Sequence, residues 1–354
     1  MLKLPPSLKA LIPDSVAQYL PNSQRKRHIQ TLLTAGQVVR AAELIAQSDP
    51  WPDGALWEQV DLFLDAAHWD ELPKLQPLAD LRPVFERAVF EALAGIAEFG
   101  VVWAQQLLDD LGNDQRWDGF QRMCARALSA FLAMPRLKRD VRLDLRPGIL
   151  QFWEQGQPPS DLAEPMAAWQ QLAGGGYRLL DGTAARSWLD TQYGTDAVTT
   201  YDLCSHPAIK ADYLRLGYLA KHGGVWIDAD SKMSPGFSNL YARLGTETVL
   251  WFNTKTGHWL NGFIAAPEGD PLMARAFHDA GARIREKPDQ HPYLLAGPGL
   301  LTDTILWMHR DGLLKDTVNI TTAEVNRSVF GQIKTNYKKS GLGWQDQLGQ
   351  GSAR

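Results

Sequence analysis

Residues 205–230, SHPAIKADYLRLGYLAKHGGVWIDAD, constrain the fold more than any other stretch of this chain. Pro207 suits the first turn of a helix, where its missing N–H costs nothing, and Ser205 or His206 stands at the cap. The helix runs to about His222 and stops at Gly223-Gly224, because glycine takes the left-handed cap without steric penalty. Val225-Trp226-Ile227 then reads as a short buried strand, with Trp226 as core. Asp228-Ala229-Asp230 follows at its carboxyl end, where α/β sheets place their ligands. A helix leading directly into a buried strand commits this half to an α/β sheet.

The residues upstream agree. Ile149 to Trp153 is strand-like, a Pro/Gly loop spans Gln155 to Pro159, and Leu162 to Leu172 reads as a helix. After Gly174-Gly175-Gly176 comes a second strand, Tyr177 to Leu180. Strand, helix, strand implies parallel pairing, and the three glycines form a turn rather than a phosphate loop, since they open a strand. Residues before about 143 differ in kind. Val38, Ala42 and Ile45 recur at helical spacing, as do Leu56, Val60, Phe63 and Ala67, then Phe85, Val89, Leu93 and Ile96. The expected organisation is an all-α helical domain over 1–143 followed by an α/β domain over 144–354. A length of 354 residues accommodates two cores. The charged stretch Arg136, Lys138, Arg139, Arg142, Arg146 reads as a solvated linker face, with contact to an anionic membrane as the other use of such charge.

Composition narrows the functions. A net charge of −4, from 36 Lys+Arg against 40 Asp+Glu, argues against a nucleic-acid partner, whose binding rests on neutralised phosphates. Cys124 and Cys204 form no zinc pattern and suggest a reducing compartment. No leader-like apolar run opens the chain and no stretch approaches a spanning helix, so the expected location is cytoplasmic, with peripheral contact at the inner membrane face as a further possibility. Thirteen Trp is a high count. Such rings serve sugar- and base-binding clefts, and they serve cores equally. Trp251, Trp259 and Trp307 could do either.

The chemistry centres on four charged groups. Asp212 and Arg215, three apart on the helix, share one face. If Asp228 and Asp230 remain extended, their side chains point to the same side, roughly 6.5–7 Å apart. Carboxylates without a Cys or His cluster favour Mg²⁺ or Mn²⁺, ions that keep waters and take phosphate oxygens as ligands. A lone Asp-x-Asp means little, and an Asp–Arg pair at this spacing is usually a surface ion pair. Their combination around a Gly-Gly break points to function.

These residues resemble the DXD sugar-binding region of the retaining GT-A glycosyltransferases, the group of yeast mannosyltransferases and bacterial capsule and lipopolysaccharide transferases, related to clostridial glucosylating toxins. The likeness extends to Ile149-Leu150-Gln151-Phe152-Trp153, where Leu150 stands in place of the usual His, and to Tyr177–Asp181, Leu260–Pro267 and Gly297-Pro298. It covers roughly residues 144 to 300. It implies a GT-A, Rossmann-like nucleotide-sugar-binding catalytic domain behind the helical one. It further implies metal-dependent transfer of a hexose from a UDP-sugar, or a GDP-sugar, to a glycan, lipid-linked or protein acceptor. Trp153 would stack on the base, and Asp212, Arg215 and Asp228 would bind ribose or the donor sugar. Asp230, with Asp228, would hold Mn²⁺ or Mg²⁺, and Asn261 would face the donor sugar or the acceptor. Tyr337-Lys338-Lys339-Ser340 and Trp344 approximate the closing signature, which would place Lys338, Lys339 and Trp344 over the donor as a lid. Binding a partner protein is a role open to the helical domain. Two other functions fit part of the pattern: a non-catalytic scaffold with a degenerate nucleotide-sugar domain, and a metal-dependent phosphoesterase.

Overall fold

A six-stranded sheet in the order β2-β1-β3-β6-β5-β7 organises the carboxyl-terminal half. Its strands are β1 (Ile149–Phe152), β2 (Tyr177–Leu180), β3 (Gly224–Ile227), β5 (Thr248–Asn253), β6 (His258–Ala266) and β7 (Thr317–Thr321). The structure, a computed structural model, describes residues 84–138, 147–254 and 256–332, together with His28, Leu32, Arg40, Leu44, Leu72 and Pro73. The chain divides into two compact units, Met1–Leu132 with Thr254–Gly257, and Ala133–Asn253 with His258–Arg354.

In the first unit the described helices are α1 (Val84–Ala94), α2 (Ile96–Phe99), α3 (Val101–Asn113) and α4 (Gly119–Ala133). The helical spacing read at Phe85, Val89, Leu93 and Ile96 is a buried stripe. The apolar runs at 38–45 and 56–67 lie largely outside the described residues.

The second unit is α/β. The helices that matter for the site are α5 (Ser160–Ala173), α6 (Gly182–Tyr193), α7 (Thr195–Asp202), α8 (Pro207–His222), α9 (Phe237–Tyr241) and α10 (Pro271–Glu286), with α11 (Pro292–Leu295), α12 (Pro298–Arg310) and α13 (Thr322–Ser328) beyond. Strands β1, β2 and β3 pair in parallel, as do β5 and β7, whereas β6 runs antiparallel to both β3 and β5. The chain leaves β1 for β2 on one side and returns through α6, α7 and α8 to β3 on the other. The β1/β3 boundary is therefore a topological switch point, the place where open α/β sheets bind ligands. Residues 135–137 run beside β7: Asn319 N–H donates to the Pro135 carbonyl and Leu137 N–H to that of Asn319. Arg136 thus lies along the sheet rather than in a free linker.

Four of the thirteen Trp belong to the core of the second unit. Trp169, Trp226 and Trp259 are fully buried, and each indole N–H finds an acceptor, as burial requires. Trp251 is buried as well, donating to Thr322. Trp307, half-buried, lies under the Arg275 guanidinium at 4.2 Å. Among the described helices none is long and apolar enough to cross a membrane.

Candidate functional site

Helix α8 begins as its sequence dictates, with Pro207 in the first turn and the His206 side chain accepting from Ala208 N–H. Its end requires glycine twice. Gly223 has φ 63°, and a Cβ there would meet the 266–268 backbone at 2.5–2.8 Å. Gly224 has φ 103°, and its Cβ would meet the Gly148 carbonyl at 2.7 Å. The Gly-Gly pair thus ends the helix and lets β3 enter between β1 and β6.

β3 ends at Ile227, and here the extended reading of Asp228-Ala229-Asp230 is corrected. Ser231 N–H donates to the Asp228 carbonyl at 3.1 Å, which closes a reverse turn. The chain must reverse because Ser231 starts β4 (Ser231–Met233), which leaves the main sheet to pair with β8 (Phe330–Gln332). Asp228 and Asp230 therefore stand on a turn at the switch point, not on one face of a strand.

Arg215 is the hub of the site. It is 4% exposed, and its Nη2 lies 2.7 Å from Asp212 Oδ1 and 3.2 Å from Asp228 Oδ1. Nη1 donates to the Asn261 carbonyl, and the guanidinium lies 4.5 Å over the Trp226 ring. Asn261 Nδ2 donates to Asp212 Oδ1 at 3.0 Å. Burial pushes the Asp212 carboxyl up to about 6; Arg215 pulls it down, the Asp228 charge raises it, and the Asn261 hydrogen bond lowers it. Asp228 is the wetter partner, with its side chain 41% exposed. Four residues named from sequence, Asp212, Arg215, Asp228 and Asn261, are thus joined in one network. Asp230 stands half-buried on the adjoining turn.

Trp153 is half-buried beyond β1 and packs against Leu162, Met166 and Ala229, so its ring borders the same turn. Lys338, Lys339 and Trp344 lie outside the described residues. The register of β8 nevertheless sets Gln332 opposite Ser231, so the chain enters residues 333–354 one position from Asp230.

The sequence reading missed several neighbours. Gln151 Nε2 donates to the Asp228 carbonyl at 3.3 Å, tying β1 to the turn. The Gly262 carbonyl accepts Asp228 N–H at 3.1 Å. Glu154, just past β1, forms a half-buried ion pair with Lys210 of α8. Trp226, read as plain core, donates to Asp228 Oδ1 at 2.8 Å. The only local signal for these contacts was position near a strand end. Burial pushes the Cys124 and Cys204 thiols up to about 12, which disfavours the thiolate form.

Among the described residues no three His, Cys, Asp or Glu side chains group as a ready metal cage. The turn carries two carboxylates, Asp228, held by Arg215 and Trp226, and Asp230. That donor set fits a hard cation that takes its remaining ligands from water and a bound phosphate, the usual Mg²⁺ pattern.

No protein-family model matches the chain, and no curated protein matches it. Among solved structures it is similar to PaToxG Glycosyltransferase, with 14% identity, a TM-score of 0.36, and coverage of 72% of this chain and 90% of that one. The functional reading therefore rests on the site itself.

Proposed function

We propose that this protein is a metal-dependent retaining glycosyltransferase that moves a hexose from a UDP- or GDP-sugar to a glycan, lipid-linked or protein acceptor, through a GT-A catalytic domain. The observation that carries this reading is the meeting of Asp212, Arg215, Asn261 and Asp228 at the carboxyl end of the β1/β3 switch point, beside Asp230. A crevice at that position suits a nucleotide.

In this mechanism the Trp153 ring takes the base, and Asp228 and Asn261 accept hydroxyls of ribose or the donor sugar. Arg215 and Asp212 hold that pair in register. Asp230, assisted by Asp228, would hold Mn²⁺ or Mg²⁺, which stabilises the charge that develops on the departing diphosphate. Lys338 and Lys339 add positive charge from the tail, and Trp344 helps exclude water from the donor. Transfer then proceeds on one face of the sugar through an oxocarbenium-like state; a glycosyl-enzyme adduct trapped on a carboxylate of the site would overturn that step.

The test is a panel of UDP-glucose, UDP-galactose, UDP-N-acetylglucosamine and GDP-mannose, each with and without Mn²⁺. One donor should raise the melting temperature only with metal and be slowly hydrolysed. Protection by none of them would sink the reading. Phosphate release from a simple phosphomonoester, with no nucleotide-sugar turnover, would favour the phosphoesterase.

A further inference from the structure

Trp226 is 1% exposed in the middle of β3, where any large apolar ring would fill the space. Its polar atom is what distinguishes it. The buried indoles of Trp169, Trp251 and Trp259 donate to Ser231 C=O, Thr322 and Asn319. The Trp226 N–H instead reaches Asp228 Oδ1, at 2.8 Å, on a carboxylate that is 41% exposed. Position explains the reach, because residues two apart at a strand end share a face.

The same oxygen is approached by Arg215 at 3.2 Å, and that guanidinium lies over the Trp226 ring at 4.5 Å. One indole therefore grips the carboxylate directly and supports the cation that grips it again. On the other side a Cβ at position 262 would come within 2.9 Å of Asp228 Oδ2, so Gly262 is the residue that leaves the carboxylate room in this rotamer. An aspartate on an exposed turn otherwise samples several rotamers, and each wrong one misplaces the group that meets the ligand.

We infer that Trp226 is a positioning residue: its indole N–H and its support of Arg215 hold the Asp228 carboxylate in the orientation that receives the ligand. This rests on the reading of Asp228 as a donor-binding group. Trp226→Phe deletes the N–H and keeps an aromatic face beneath Arg215 but also removes buried volume, so the cycle with Asp228→Ala is what separates the hydrogen bond from the packing.

The experiment is a double-mutant cycle on wild type, Trp226→Phe, Asp228→Ala and the double variant. It measures Kd with Mn²⁺ for whichever of UDP-glucose, UDP-galactose, UDP-N-acetylglucosamine and GDP-mannose the wild type binds, together with kcat and KM where turnover remains. Loss of one charge-assisted hydrogen bond predicts about a tenfold or greater fall in kcat/KM for Trp226→Phe, with the fold retained. In the Asp228→Ala background, where the acceptor is gone, the same change should cost nothing further beyond what it costs the fold. Wild-type kinetics for Trp226→Phe, or costs that simply multiply, would overturn the inference. A wild type that binds none of these donors counts against the glycosyl-transfer reading alone. The positioning contact is then decided by the Trp226 indole N–H resonance, identified by its loss in Trp226→Phe. Movement of that resonance in Asp228→Ala supports the contact, and an unmoved resonance refutes it.

Discussion

Two corners of the second unit bury a carboxylate, and they do so for different ends. At the amino terminus of α10, Asp270 is 3% exposed; its side chain accepts from Met273 N–H at 2.7 Å and from the Thr248 hydroxyl. At the α8–β3 corner, Asp212 is 8% exposed and is satisfied by Arg215 and Asn261. Burial raises both carboxyls above the usual range. The partners make the difference. Those of Asp270 belong to a helix cap and a neighbouring strand, and nothing further is attached. Arg215 is shared between Asp212 and the half-exposed Asp228, so the buried charge is wired to a group that a ligand can reach. The contrast between the two corners is thus one of coupling: Asp270 is buried on its own, and Asp212 is buried and linked to an exposed carboxylate.

The largest expected effect tests the turn beside that wiring. On the proposed function, Asp230→Asn should lower sugar transfer by about a hundredfold or more while leaving the melting temperature near wild type, since the proposed cation ligand sits on a turn and not in the core. Unchanged transfer at unchanged metal dependence would remove Asp230 from the site. Next comes the hub. Arg215→Ala leaves Asp212 buried without its cation and should cost about 3–5 kcal/mol of stability in denaturant titrations. Arg215→Lys should restore little activity, because a point charge cannot replace a planar fork that touches Asp212, Asp228 and the Asn261 carbonyl together. Equal activity of the Arg and Lys enzymes would reduce Arg215 to an ion pair.

Asp212 also carries a pH signature. Its raised carboxyl means that the folded state prefers the protonated form, so its stabilising contribution is complete below about pH 4 and is lost as pH rises through about 6. Asp212→Asn cannot titrate. The melting temperature of Asp212→Asn minus that of wild type should therefore climb between pH 4 and 7, whatever the offset at pH 4. A flat difference would mean that Arg215 and Asn261 fully offset the burial. The smallest effect belongs to the control corner. Asp270→Ala should cost about 1–2 kcal/mol through the lost cap, and Asp270→Asn much less, with kcat and KM unaltered in both. A change in donor affinity for Asp270→Asn would erase the contrast between the two corners.

Much of the local structure around the site was readable. The α8 helix, its Gly-Gly end and β3 follow from periodicity, a proline and two glycines within twenty-odd residues, and β1, α5 and β2 follow from the same kind of signal. The turn at Asp228–Asp230 was not readable, because whether a strand continues depends on what pairs with it. Here β8, about a hundred residues later, draws Ser231 away from the main sheet.

By itself the sequence determined where the candidate residues stand: Asp212 and Arg215 on one helix face, and two aspartates just past a buried strand. Helix periodicity and glycine stops act over a few residues, so they survive without the rest of the fold. Tertiary structure alone decided that these groups form one network. The antiparallel β6, inserted between β3 and β5, brings Asn261 to Asp212 across 49 residues and to Arg215 across 46. It also decided that Trp226 is more than core, since the Arg215 that covers its ring arrives on a packed helix. Such contacts arise from sheet order and helix packing, which local propensity does not encode.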